Sequence, residues 1–222
     1  CTLSGKMSDD GNDKRIEDEE EDLDCSHPEV VNKYQQAGAV ANEAIKAVIA
    51  ACVEGKSIAE VCELGDAKIN ELLSKVYKGK KMEKGIAFPT CASVNNCCGH
   101  FSPLKEDSSA LKKGDLVKID LGAHVDGYTA LVAGSVVVGE SEITGRKADV
   151  LQAARVASDV IIRTLQPGKK NSDITPLVER AVEAFGCKSV DGVVSHQIKR
   201  FSTDGTKVIL NKRLPGQQVE EC

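Results

Sequence analysis

Asp126-Gly127 lies between two β-rich runs, residues 116–122 and 128–138, and this dipeptide constrains the fold more than any other feature of the chain. Asp-Gly between two such runs favours a tight two-residue turn, so the second run reads as the returning strand of an antiparallel hairpin. Helical periodicity brackets the hairpin on both sides. Upstream, Ser26-His27-Pro28-Glu29 fits a capping box. Val30, Val31, Tyr34, Ala37, Val40, Ala41, Ala44, Ile45, Val48 and Ile49 follow at helical spacing, with Gly55 as the expected stop. A second box, Ser57 with Glu60, opens a helix carrying Val61, Leu64, Ala67, Leu72, Leu73 and Val76, and the short turn implies an antiparallel helix pair. Residues 86–94 look extended, with Pro89 opposing a helix. Downstream, helices are expected at 145–165 and 172–185, ended by Pro167-Gly168 and Gly186, before extended segments at 190–198 and 207–210. The order is a mixed α/β (α+β) chain without the strand–helix alternation of a dinucleotide-binding fold.

Charge divides the 222 residues unevenly. The formal net charge is −5, yet ten of the 34 acidic residues fall between Asp9 and Asp24. The rest carries 26 basic and 24 acidic residues, close to neutral. Residues 1–24 therefore read as a disordered acidic tail, too poor in apolar side chains to offset the entropy of ordering. Within it Met7 reads as a natural start, with 1–6 upstream, and residues 25–222 form the folded body. No apolar run approaches the roughly 20 residues that span a bilayer, so no membrane insertion is expected. Nine cysteines, two of them adjacent and none in a CxxC pair, suit reduced thiols rather than a disulfide framework or a zinc site.

Three places could carry chemistry: the loop Asn95-Asn96-Cys97-Cys98-Gly99-His100, Asp120 on the first hairpin strand facing core or cleft, and Ser195-His196-Gln197. Singly, each has a plain structural reading that is the better one. A lone His is more often a packing or surface residue than a ligand, and sequence adjacency of Ser195 and His196 makes no triad. Neither a phosphate-binding P-loop nor a GxGxxG after a strand is present.

Taken together and in order, the motifs say more. Ala87-Phe88-Pro89-Thr90, Val94-Asn95-Asn96-Cys97, His100-Phe101-Ser102-Pro103 and Lys118-Ile119-Asp120-Leu121-Gly122 resemble the type II methionine aminopeptidases of peptidase family M24. The likeness runs from Ser26 to Leu210. Leu64-Gly65-Asp66-Ala67, His124-Val125-Asp126-Gly127 and the 144–150 segment are similar to a non-catalytic, proliferation-associated branch of that superfamily. The resemblance implies the pita-bread (creatinase/aminopeptidase) fold, incomplete at the C-terminus. Peptidases of the family hold two divalent metals with two Asp, one His and two Glu, and a further His contacts substrate. Carried over, His100 matches the substrate-contacting His, Asp120 the first metal Asp and His196 the metal His. The second Asp falls at position 131, which is Leu131, and a leucine buried there cannot ligate a metal. The two Glu are expected beyond Cys222. The resemblance therefore implies vestigial site positions, no cofactor and no peptidase activity, the alternative being a divergent metal-dependent methionine aminopeptidase.

For the branch, the resemblance implies a scaffold that binds ribosomal subunits and structured RNA in the cytoplasm and the nucleus or nucleolus. It would regulate translation, ribosome biogenesis and growth, with protein partners of growth signalling. Candidate phosphate contacts are Lys78, Lys80, Lys81 and Lys84 beside the first strand, with Lys112, Lys113, Lys169, Lys170, Lys199 and Arg200 in expected turns. Each pair alone reads equally well as solvated loop charge. An unpaired sheet edge is also expected, with an unstable chain as its consequence.

Overall fold

A computed structural model describes residues 24–106, 109–216 and 219–222. The acidic segment up to Leu23, with Met7, lies outside the described residues. Helix α1 (Pro28–Ala51) buries Val30, Ala37, Val40, Ala41, Ala44, Ile45 and Val48, the stripe its periodicity requires. Its start corrects the expected capping box: His27 is the N-cap, without a side-chain cap bond, and Pro28 occupies the first turn, where its missing N–H costs nothing. The Ser26 N–H instead donates to Asp24 Oδ1 at 2.8 Å. Gly55 does not stop the helix, which ends four residues earlier; at φ 82° it turns the chain and donates its N–H to Leu111 O. Helix α2 (Ile58–Leu73) does begin at Ser57, and the Glu60 carboxylate meets Lys56 at 3.0 Å and the Ser57 backbone N–H.

Three strands, β1 (Lys84–Val94), β2 (Leu116–Val125) and β3 (Tyr128–Val137), form one antiparallel sheet in the order β1-β2-β3. Asp126 and Gly127 have φ of 54° and 76°, as a type I′ hairpin tip demands. Pro89 is accommodated because β1 lies at an edge and its register shifts between Ile86 and Phe88 and again before Cys91. Val117, Ile119, Leu121, Ala123 and Val125 alternate onto one face of β2 and pack under α1 and α2 in the main core. That core includes Cys52 and Cys62, whose thiols burial pushes up to about 11, while burial raises Cys91 to about 12. These are inert packing thiols, and eight cysteines among the described residues are free.

A helix pair followed by strands then recurs. Helices α3 (Gly145–Thr164) and α4 (Asn171–Glu183) pack together, and α4 meets β5 (Val208–Leu210), which pairs with β4 (Val194–His196). Ile174, Val178 and Ile209 make a second, smaller core. The extended segment expected at 190–198 is thus a three-residue strand. No helix among the described residues is long and apolar enough to cross a membrane.

One close approach sets the depth of α2 on the sheet. A Cβ on Gly65 would stand 2.3 Å from Thr90 Oγ1 and 2.9 Å from Thr90 Cβ, so only glycine lets this helix reach β1. Thr90 is fully buried there, and its hydroxyl finds no hydrogen-bond partner among the described residues. Gly65→Ala is expected to cost about 1–3 kcal/mol by overpacking. Thr90→Val, which removes an unsatisfied hydroxyl at constant shape, is expected to be neutral or stabilising by roughly 1 kcal/mol. Urea unfolding of the two variants checks both signs.

Candidate functional site

The side of the hairpin turned away from α1 carries the residues that the sequence singled out. Opposed pairs of an antiparallel ladder share a face, so Asp120 with Ala133 and Gly122 with Leu131 line the outer face together. Asp120 is half-buried, and its Oδ2 lies 3.5 Å from His100 Nδ1. His100 reaches it from a loop position with φ 61°, its ring set edge-on to Phe88 at 5.4 Å and its side chain 79% exposed. Burial pushes the Asp120 carboxyl above its ordinary value, and His100 only partly offsets this. His100 is thus the ion-pair neighbour of Asp120.

Leu131 stands opposite Gly122, diagonal to Asp120. It is 39% exposed rather than buried, its Cδ2 lying where a Gly122 side chain would be (2.3 Å from the ideal Cβ position). His196 is elsewhere. It ends β4, exposed, with Nδ1 3.2 Å from Gln197 O, and lines a cavity of about 280 Å³ with Lys207 and Ile209 that includes neither His100 nor Asp120. Ser195 Oγ sits 3.3 Å from Asn211 Oδ1, so no Ser–His pair forms.

The family's two-metal centre needs several carboxylates converging on one point to neutralise two cations. Here the outer face offers one carboxylate and one imidazole beside a leucine. Among the described residues no three His, Cys, Asp or Glu side chains gather closely enough to hold a metal ion. The residues present do not fit that centre.

The basic candidates divide. Lys78, Lys80 and Lys81 are exposed in the α2–β1 turn, Lys80 lying 5.3 Å above the Tyr77 ring. Lys112, Lys113, Lys169, Lys170 and Lys199 are exposed as well. Lys84 is committed elsewhere, its Nζ donating to Val76 O at 2.6 Å. Arg200 is not a loop charge in solvent: it donates to Asp126 O and Oδ1 and lies over the Tyr128 and Phe201 rings. With Lys33, 2.7 Å from Asp126 Oδ2, it clamps the hairpin tip. Sequence reading missed this clamp, because partners 74 and 93 residues away leave no local pattern.

Residues 32–219 match metallopeptidase family M24. The chain belongs to that family. It is 47% identical over 92% of its length to ErbB-3 binding protein 1 of Arabidopsis thaliana, covering 53% of that relative. It is 46% identical over 89% of its length to proliferation-associated protein A of Dictyostelium discoideum, covering 52% of it. A protein of Schizosaccharomyces pombe named curved DNA-binding protein is 47% identical over 86% of the chain and 51% of its own length. The chain thus spans about half the length of the curated relatives it matches. In three dimensions it is similar to a thermophilic Arx1 (TM-score 0.78, 27% identity, 87% of this chain and 59% of that one). It is also similar to the methionine aminopeptidase of Thermotoga maritima (TM-score 0.67, 28% identity, 86% and 74%). The fold is the pita-bread fold of the family, and the chain is a homologue of the ErbB-3-binding, proliferation-associated proteins.

The raised carboxyl at Asp120 has a consequence for stability. An acid whose folded value lies above its unfolded one stabilises the fold when protonated, and that contribution disappears as pH rises through the folded value. At neutral pH the charged Asp120 therefore opposes folding. Asp120→Asn is expected to raise the urea midpoint at pH 7, and the gain should vanish in acid, where both proteins are neutral at this position.

Proposed function

We propose that this chain is a non-catalytic, aminopeptidase-like scaffold that binds structured RNA and ribosomal particles and acts in translation, ribosome biogenesis and growth, in cytoplasm and nucleus or nucleolus. The observation that carries the non-catalytic half is Leu131. It occupies the outer-face position across from Gly122 where a second carboxylate would be required, and the cavity that His196 lines does not include Asp120. Leucine offers no lone pair, and a single carboxylate beside an imidazole cannot neutralise two divalent cations.

Support for the nucleic-acid half comes from two sides. One relative carries the name of a DNA-binding protein. On this chain, exposed Lys78, Lys80 and Lys81 lie within four residues of one turn, and Lys112-Lys113 and Lys169-Lys170 supply further exposed pairs. The chain contains no Trp and only seven Tyr and Phe residues, so recognition would follow phosphate geometry rather than stacked bases. Protein partners of growth signalling belong to the same reading, by way of the ErbB-3-binding relatives.

Two measurements test it. Binding of a structured RNA, followed by filter retention, should fall on the order of 10²-fold between 50 and 200 mM salt if about four phosphates are neutralised. Replacing Lys78, Lys80 and Lys81 together by Gln should flatten that dependence; a salt-insensitive or absent signal would remove the RNA reading. Separately, no methionine should be released from a Met-Ala-Ser peptide with added Co²⁺ or Mn²⁺. Release, with about two metals per chain by elemental analysis, would instead establish the metallo-aminopeptidase alternative.

A further inference from the structure

A groove of about 500 Å³ runs between α1 and the end of α2, and all of its walls belong to those two helices and the turn that leads into β1. Val40, Leu72 and Val76 give it an apolar floor, while Asn32, Gln36 and Tyr77 line it with polar groups. The one acid of the lining, Glu43, stands three turns further along α1 than Asn32 and is tied to Lys46 at 2.6 Å. Gln36 is exposed, and its amide makes no hydrogen bond to the described residues.

The turn at the mouth of this groove is strained. Tyr77 holds φ 45°, a left-handed value that a bulky residue adopts only where its surroundings enforce it. Its hydroxyl donates to Asn32 Oδ1 at 2.8 Å, and the Lys80 ammonium lies 5.3 Å from its ring centre. Gly79 follows at φ 80°. The N–H groups of Tyr77, Lys78 and Gly79 meet no acceptor among the described residues. Successive free N–H groups on such a turn form a concavity that suits an anion. Lys75 is paired with Glu71 at 2.6 Å, but no ion pair engages Lys78, Lys80 or Lys81 among the described residues. Positive charge, free N–H donors and an uncharged amide groove therefore adjoin one another.

We infer, resting on the RNA binding proposed above, that this turn and groove take an unpaired stretch of RNA by its backbone. A phosphate sits on the N–H groups of residues 77–79 among the lysines, and the adjoining ribose enters the groove with its 2′-hydroxyl on the Gln36 amide. A 2′-hydroxyl both donates and accepts, as a primary amide does, and it is the group that tells RNA from DNA. Asn32 is already engaged by Tyr77, which leaves Gln36 as the reader. A cleft between two helices admits a single strand, whereas the hydroxyls of an RNA duplex lie on a wide, shallow surface. Nothing in the groove offers a ring for a base to stack on except Tyr77, whose face Lys80 covers, so the backbone is read and the base is not.

Binding of a short single-stranded oligouridylate to the 222-residue chain, followed by fluorescence anisotropy, tests this site. The 2′-deoxy strand of the same sequence and uridine monophosphate serve as comparison probes. The RNA strand is expected to bind about 2- to 10-fold more tightly than the deoxy strand, the worth of one uncharged hydrogen bond. The monophosphate, engaging one phosphate, should bind more weakly than either. Gln36→Ala alters a side chain that the fold does not use, and should leave circular dichroism unchanged. It should bring RNA binding down to that of the deoxy strand and leave the deoxy strand's binding as it was. Equal binding of the two strands, or an RNA preference that survives Gln36→Ala, would overturn the site while leaving the broader RNA reading in place. A monophosphate that binds as tightly as the RNA strand would overturn it too, in favour of a small phosphorylated ligand. No binding of any probe at low salt would overturn both readings.

Discussion

The carboxylate of Asp126 joins the two parts of this structure. It sits at the hairpin tip, receives Lys33 from α1 at 2.7 Å and Arg200 from the segment after β4 at 3.0 Å, and all three side chains are largely buried. Burial alone would push this carboxyl up; the hydrogen bonds from Lys33 and Arg200 outweigh it and hold the group below its ordinary value. Its stabilising contribution is therefore present above the unfolded carboxylate value and is lost as pH falls through the lowered folded one. The main core lies under α1 and α2, and the small core around Ile174 is separate. Phe201, whose N–H donates to Gly127 O at 2.9 Å and whose ring would collide with any Cβ on Gly127, extends the clamp. A buried charge is worth keeping only if its partners are all in place. The clamp therefore fixes how the later segments sit on the first sheet.

What the clamp positions is a sheet with two unlike faces. Toward α2, Gly65 and Thr90 hold helix and strand so close that no side-chain carbon fits between them. Toward solvent, β2 and β3 present Asp120, Leu131 and Ala133 beside His100. The same alternation that buries Ile119 and Leu121 obliges their neighbours to face outward. The core and the candidate site are thus two readings of one strand.

Much of this was legible in the chain, for definite reasons. The hairpin follows from Asp126-Gly127, where two positive φ values have few chemical solutions, and the four helices follow from apolar period. The candidate site residues were named through the order and spacing of motifs, which say nothing of the distance between His100 and Asp120; only the fold sets them 3.5 Å apart. The failures have physical causes. Capping boxes are permissive: Ser26 loses to a local Asp24 turn, and Pro28 already satisfies the first turn. Gly55 serves a turn to Leu111 rather than a helix stop, a contact across 56 residues. Arg200 reads as a solvated loop charge until the fold sets Asp126 and two aromatic rings around it. Local signals survive into the structure, whereas pairings between distant residues leave no trace in either neighbourhood.

Leu131 also bears on the charge of the outer face. Two carboxylates held diagonally on neighbouring strands repel, and without metal one of them would have to take up a proton. Here Asp120, already opposed by burial, meets no second acid among the described residues; the adjacent space is filled by Leu131 reaching over Gly122, and the remaining charge is eased by His100. An acid at position 131 would therefore raise the electrostatic cost of this face. An apolar side chain at this place therefore spares Asp120 the repulsion that a neighbouring acid would bring.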